Sequence, residues 1–203
     1  MNLDAFREMV AAMQVRTGFD GTTLKFTKGD WVADAANMNG CKLVALILQL
    51  MFGWVRWVDK KPVDYHVGLV ADRYRPPKKS ELDGDLDNWV MTWFVPLIDP
   101  QTGELYVFST SSKGGRDAWA KLQKDYIAHH EENQDNKLPC VVLGSDSYHH
   151  PVYGLVATPT LEVTDWVEPP NNLKKIRPPT PVSPLLIAPP KEISEDLNDD
   201  VPF

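Results

Sequence analysis

The chain has 203 residues, 43 % of them apolar, and a formal net charge of −7. No apolar run reaches the roughly 18 residues that read as a membrane-spanning helix. Two cysteines, Cys41 and Cys140, are too few for a disulfide framework and fit a reducing cytoplasm.

In chain order, residues 1–16 place Leu3, Phe6, Val10 and Met13 at helical spacing, which predicts a short amphipathic helix. The acids in "MNLDAFREMV" are unlike the basic start of a signal peptide. "LKFTKGDWVADAANMNG" reads as an extended segment with turns. Residues 42–58 and 63–71 read as an antiparallel pair joined at "DKKP", with Gly53 marking a bulge or bend. Residues 72–88 form a long polar loop. "WVMTWFVPLID" and "ELYVFSTSS" flank "PQTG", a hairpin signal. "RDAWAKLQKDYIAHHEEN" follows as a helix with Ala118, Leu122 and Tyr126 on one face and Trp119 beside them. "LPCVVLGSD" and "YGLVATPTLEVTDWV" are two further strands. The expected fold is mainly β, an OB-fold-like barrel with a helix between strands. Residues 1–168 form the domain.

Residues 169–190 hold eight prolines in 22 positions, a composition that stays extended and serves as a flexible linker. Residues 191–203 carry five acids and one lysine, net −4, whereas the other 190 residues hold 23 acids and 20 bases, net −3. Most of the charge excess therefore lies in a tail, and a basic face on the body is not excluded.

That tail ends "DLNDDVPF", which resembles the acidic tip of bacterial single-stranded DNA-binding proteins. The resemblance rests on Asp199, Asp200, Val201, Pro202 and Phe203, behind a linker as in that family. It implies a disordered tail that docks onto replication and recombination proteins. The Phe203 ring would enter an apolar pocket, and the acids would lie along a basic rim. The layout of body and tail is similar to that of phage-encoded single-strand binders, which pair a divergent OB-fold with an acidic C-terminus. It implies a cytoplasmic protein of a bacterial host, with single-stranded DNA and tip-binding enzymes as partners and no membrane or cofactor.

Single-strand binders need cations along the phosphates and aromatic rings under the bases. Residues 54–79 supply both. Arg56, Lys60, Lys61, Arg73, Arg75, Lys78 and Lys79 outnumber Asp59, Asp64 and Asp72, giving net +4, with Trp54, Trp57, Tyr65 and Tyr74 interleaved. Alternation along a strand puts Trp54 and Arg56 on one face and Trp57 on the other. Trp54 is the expected stacking residue, with both tryptophans in the core as the competing reading. "STSSKGGR" places Lys113 and Arg116 where a strand hands over to a helix, with backbone N–H groups available to a phosphate. Lys25 and Lys28, close to Phe26 and Trp31, form a third cluster.

Other signals carry less. His129–His130 and His149–His150 are adjacent pairs without metal-ligand spacing. Asp83, Asp85 and Asp87 lack the sixth-position glycine of a calcium loop. Ser145, Asp146 and His149 lack a nucleophile elbow. The sequence thus reads as a non-enzymatic single-stranded DNA-binding protein. The alternatives are an adaptor or decoy that carries the tip without binding DNA, and a nuclease or recombination factor with an appended tail.

Overall fold

The computed structural model describes residues 21–170. The expected N-terminal helix, the linker from residue 171 onward and the acidic tip lie outside the described residues.

Three tight hairpins shape the first half. β1 (Thr22–Thr27) returns as β2 (Asp30–Ala33), and β2 as β3 (Ala36–Asn37). β5 (Met51–Val58) returns as β6 (Lys61–Leu69). Each loop has two residues, Lys28–Gly29, Asp34–Ala35 and Asp59–Lys60, and all six have positive φ. Paired positive φ is the turn geometry that matches the twist of antiparallel strands. Only one of the six is glycine. Ala35, at φ 69° and exposed, has no polar side chain to favour that conformation. Left-handed backbone costs a non-glycine residue about 1–2 kcal/mol, so Ala35→Gly is expected to stabilise the protein by about 1 kcal/mol. A thermal melt should rise by roughly 2–4 °C; an unchanged or lower melting point would show that the turn is not strained.

The remaining strands are β4 (Lys42–Ala45), β7 (Trp89–Ile98), β8 (Leu105–Thr110), β9 (Leu138–His150) and β10 (Gly154–Val167). One helix, α1 (Lys113–Asn133), lies between β8 and β9. Ser112 caps it by accepting a hydrogen bond from the Gly115 N–H at 3.1 Å, and Gln134 ends it in the left-handed conformation. Leu122 is the buried centre of its apolar face.

The ten strands of the described residues join in one sheet, whose main path runs β10-β9-β4-β7-β8-β1-β2-β3. β5 branches off β7 and carries β6. Pairing is antiparallel except between β1 and β8, which run parallel. Among the described residues the sheet does not close on itself, so the expected closed barrel is not seen there. What the sequence shows as one strand over residues 42–58 is two, because a 3₁₀ turn at Ile47–Gln49 breaks it. Leu46, Ile47, Leu50 and Met51 are all buried around that turn. Such a run has no two-residue alternation to hold it in one straight strand. β4 then pairs with the C-terminal end of β7, and β5 with Trp89–Phe94 at its N-terminal end.

Gly53 has a physical reason of its own. Its φ is 154°, and a Cβ there would collide with the His66 carbonyl and stand 2.8 Å from Val67 Cα. It therefore allows close approach of β6. The bulge itself lies further on, where Arg56 faces Asp64 but Trp57 faces Pro62. Between β7 and β8, Asp99 accepts hydrogen bonds from the backbone of Gln101 and Thr102, forming the turn that "PQTG" signals. Trp31, Phe108, Leu24, Leu43, Leu97, Leu122 and Leu143 lie in one core linking the sheet and α1. Among the described residues, no helix is long and apolar enough to cross a membrane.

Candidate nucleic-acid interface

The register of β6, β5 and β7 decides which side chains share a face. Trp54 lies opposite His66 on one side and Met91 on the other. Phe52 lies opposite Trp93, and Arg56 opposite Trp89. Directly opposed residues in antiparallel strands point the same way. Phe52, Trp54, Arg56, His66, Trp89, Met91 and Trp93 therefore line one face. Three of its rings carry a cation. Lys79 Nζ stands 5.9 Å from the Trp54 centroid, Arg116 Cζ 5.2 Å from Trp93, and Arg56 Cζ 5.7 Å from Trp89. A cation within about 6 Å of a ring face is attracted by the ring quadrupole.

The three pairs differ in what they leave open. Trp89 is buried, and its indole N–H donates to the Asp83 carbonyl at 2.9 Å. Arg56 lies 3.7 Å from Asp64, and one guanidinium nitrogen would touch a Cβ at Gly84 at 3.1 Å. Arg56 thus fastens the polar loop of residues 78–88 to the sheet. Arg56→Ala is expected to destabilise the fold by about 1–2 kcal/mol, through lost ring contact and lost packing of its stem. A melt compared with an oligonucleotide titration checks this. An unchanged melting point with weakened binding would make Arg56 a phosphate contact instead.

Trp54 and Trp93 are half-buried, with Met91 half-buried between them. Trp54 donates its indole N–H to the Pro77 carbonyl at 2.9 Å, which fixes the ring against the loop. Arg116 and Lys79 are exposed at the margins. As diagonal neighbours on paired strands, Trp54 and Trp93 have backbones about 7–8 Å apart.

The other candidate residues fall in three places. Arg73, Arg75 and Lys78 are exposed along the loop after β6, while the Tyr74 ring packs on Gly68 and edge-on to Phe52 at 5.9 Å. Trp57, Lys60 and Lys25 lie on the opposite side of the sheet. There, with Tyr65, Phe94 and Val107, they line a cavity of about 370 Å³. Trp57 is 37 % exposed. Burial pushes the Tyr65 hydroxyl pKa up, so that wall carries no negative charge. Lys61 lies beside Lys60 at the start of β6. Lys28 and Lys113 meet in a cleft between the β1–β2 turn, the start of α1 and the β9–β10 hairpin.

His129, His130 and His150 are engaged elsewhere. His129 stacks on Trp166 at 3.7 Å, and His130 Nδ1 lies 2.7 Å from the Asp135 carbonyl. His150 Nδ1 accepts from the Val152 N–H in the turn after β9. Burial, the larger cause, and Asp165 raise the Cys140 thiol pKa, which disfavours a reactive thiolate. Among the described residues, no group of three or more His, Cys, Asp or Glu side chains is placed to hold a metal ion.

Sequence reasoning did not single out Trp93, Met91 or His66. The signal was present in "WVMTWFVPL": Trp89, Met91 and Trp93 alternate along one strand and so share a face. Which face that is depends on pairing with β5 rather than β6, a long-range fact. Comparison with protein-family models, curated proteins and solved structures finds no match to this chain.

Proposed function

We propose that the chain is a non-enzymatic single-stranded DNA-binding protein whose acidic tail recruits other proteins of replication and recombination. One observation carries the DNA-binding part. Trp54 and Trp93, both half-buried, lie on one three-stranded face with a cation over each ring. Bases would stack on the two indoles, while Arg116 and Lys79 would meet the phosphates. Stacking tolerates any base, because every base has a π-face, so binding would show little sequence preference. The three-stranded antiparallel face with a helix inserted later in the chain supports a divergent OB-like arrangement in an open sheet. The tail's part rests on the "DDVPF" resemblance.

The test is a titration of the whole protein with oligothymidine, followed by tryptophan fluorescence. The expected result is quenching on binding and an affinity that falls steeply with salt. The slope should be about −0.7 for each phosphate neutralised on a single strand. No binding at low salt would overturn the DNA reading and leave the tail as the carrier of function. Metal-dependent loss of the oligonucleotide would replace it with a nuclease.

A further inference from the structure

The cleft between the β1–β2 turn, the start of α1 and the β9–β10 hairpin is a separate place from the tryptophan face. It has a volume of about 310 Å³, and its walls include Phe26, Lys28, Lys113, Gly114, Tyr148 and Thr158. Two features of the chain create it. β9 and β10 pair with each other over thirteen positions, but β9 reaches β4 only at Cys140–Val142, so the hairpin runs on beyond the sheet. At Gly114 a Cβ would stand 2.7 Å from Thr158 Cγ2, so glycine allows the hairpin to approach the helix closely.

Charge separates this cleft from its larger neighbour. The adjoining cavity of about 900 Å³ shares Lys113 and Tyr148 but adds Asp117, Asp146 and Glu162 to its walls. Those carboxylates repel a phosphodiester. The smaller cleft has two lysines and no carboxylate in its lining. Lys28 stands at the tip of a tight turn. Lys113 is held by Asp117 at 2.7 Å in an exposed pair. Exposed pairs of this spacing are weak and screened by solvent, so the ammonium is easily redirected to a phosphate. Tyr148 is 45 % exposed and offers a ring for a base.

We propose that this cleft is a second nucleotide subsite for the same single strand, reached by crossing the N-terminal end of α1 from Trp93. The inference rests on the single-strand reading given above. Continuity of the sheet supports the path. Trp93 on β7 pairs with Thr110 on β8, and β1 pairs with β8 as far as Leu24 opposite Phe108, two residues before Phe26, in the cleft wall, and Thr110. Arg116 over Trp93 and Lys113 in the cleft stand one helical turn apart on α1. A base would stack on Tyr148, with its phosphate between Lys28 and Lys113.

The test compares the full-length protein with a Lys28→Asn/Tyr148→Ala variant, using oligothymidines of about five and about twenty nucleotides. Asparagine suits the left-handed turn position and removes the charge. For the long oligonucleotide the variant is expected to lose at least tenfold in affinity, and its salt slope should flatten by about 0.7. The short one should bind both proteins alike through the tryptophan face. Photocrosslinking with a 5-iodouracil-bearing long oligonucleotide should place an adduct on Tyr148 or Phe26 in the native protein. Equal binding of the long oligonucleotide by both proteins, or adducts only elsewhere, would overturn the second subsite while leaving the single-strand reading intact. Equal losses for both lengths would also overturn it, because the cleft would then not be an extension. Failure of the native protein to bind either length would overturn both.

Discussion

Trp93→Ala is expected to weaken oligothymidine binding by about tenfold to a hundredfold, and Trp54→Ala by a similar factor. Base stacking on an aromatic side chain is worth about 1–3 kcal/mol per base, and each 1.4 kcal/mol is a factor of ten. Trp93 is the cleaner test. Its ring is half-buried under Arg116, whereas Trp54 also donates its indole N–H to Pro77 and so braces the loop after β6. Trp54→Phe helps to separate the two roles, since it keeps a smaller ring for stacking and loses that hydrogen bond. It should lower the melting point slightly while retaining most of the affinity. The double variant reports coupling, because diagonal neighbours serving successive bases act as one site. Each titration should be paired with a melt. A folded Trp93→Ala protein with undiminished affinity removes this face from the interface. If Trp57→Ala carries the loss instead, the strand binds at the cavity on the other side of the sheet, beside Lys25 and Lys60.

Much of this architecture is legible in local sequence. The β5–β6 and β7–β8 hairpins, the polar loop between them, α1 and the last two strands follow from turn residues and periodicity, both short-range signals, whereas the pairing of β9 with β10 does not. The alternation argument also puts Trp54 and Arg56 together, as the register shows, and Trp57 opposite, as the cavity lining on the other side of the sheet shows. What sequence does not reveal is set by long-range pairing. The break at Ile47–Gln49 lets one apolar run serve two separate stretches of β7. β7, rather than β6, becomes the neighbour that completes the tryptophan face. The basic residues of 54–79 look like a single patch in the linear chain. In the fold Arg56 is tied to Asp64, Lys60 is carried to the opposite side of the sheet, and Arg73 and Arg75 follow an exposed loop. Conversely, Arg116 joins Trp93 although the two are 23 residues apart. Charge clusters in sequence therefore mark the presence of cations, while strand register decides which cations share a face.

Removing residues 191–203 is expected to raise single-strand affinity on the order of fivefold at low salt and to change it little at high salt. The removed segment carries five acids and one lysine, a net −4 that resembles a short run of phosphates. Tethering makes it an intramolecular competitor for the same cations, at an effective concentration set by the connecting chain. The 22 residues before it would span on the order of 70 Å if extended as polyproline II, enough to reach any face of a domain this size. Screening supplies the salt dependence. The Debye length falls from about 30 Å at 0.01 M to about 10 Å at 0.1 M, so competition from the acidic segment fades as salt rises. Removing Phe203 alone should behave differently. It leaves every acidic side chain in place, so DNA binding should remain nearly unchanged. Docking onto a protein that binds bacterial single-strand-binding tips should be lost, because the resemblance assigns the apolar anchor to that ring. Paired titrations, one with oligothymidine and one with such a tip-binding protein, read the two effects independently. If the tail deletion binds DNA no better at low salt, the acids do not compete for the cations. If the chain lacking Phe203 docks at full affinity, "DDVPF" does not act as that family's tip, and recruitment has to be sought in the folded body.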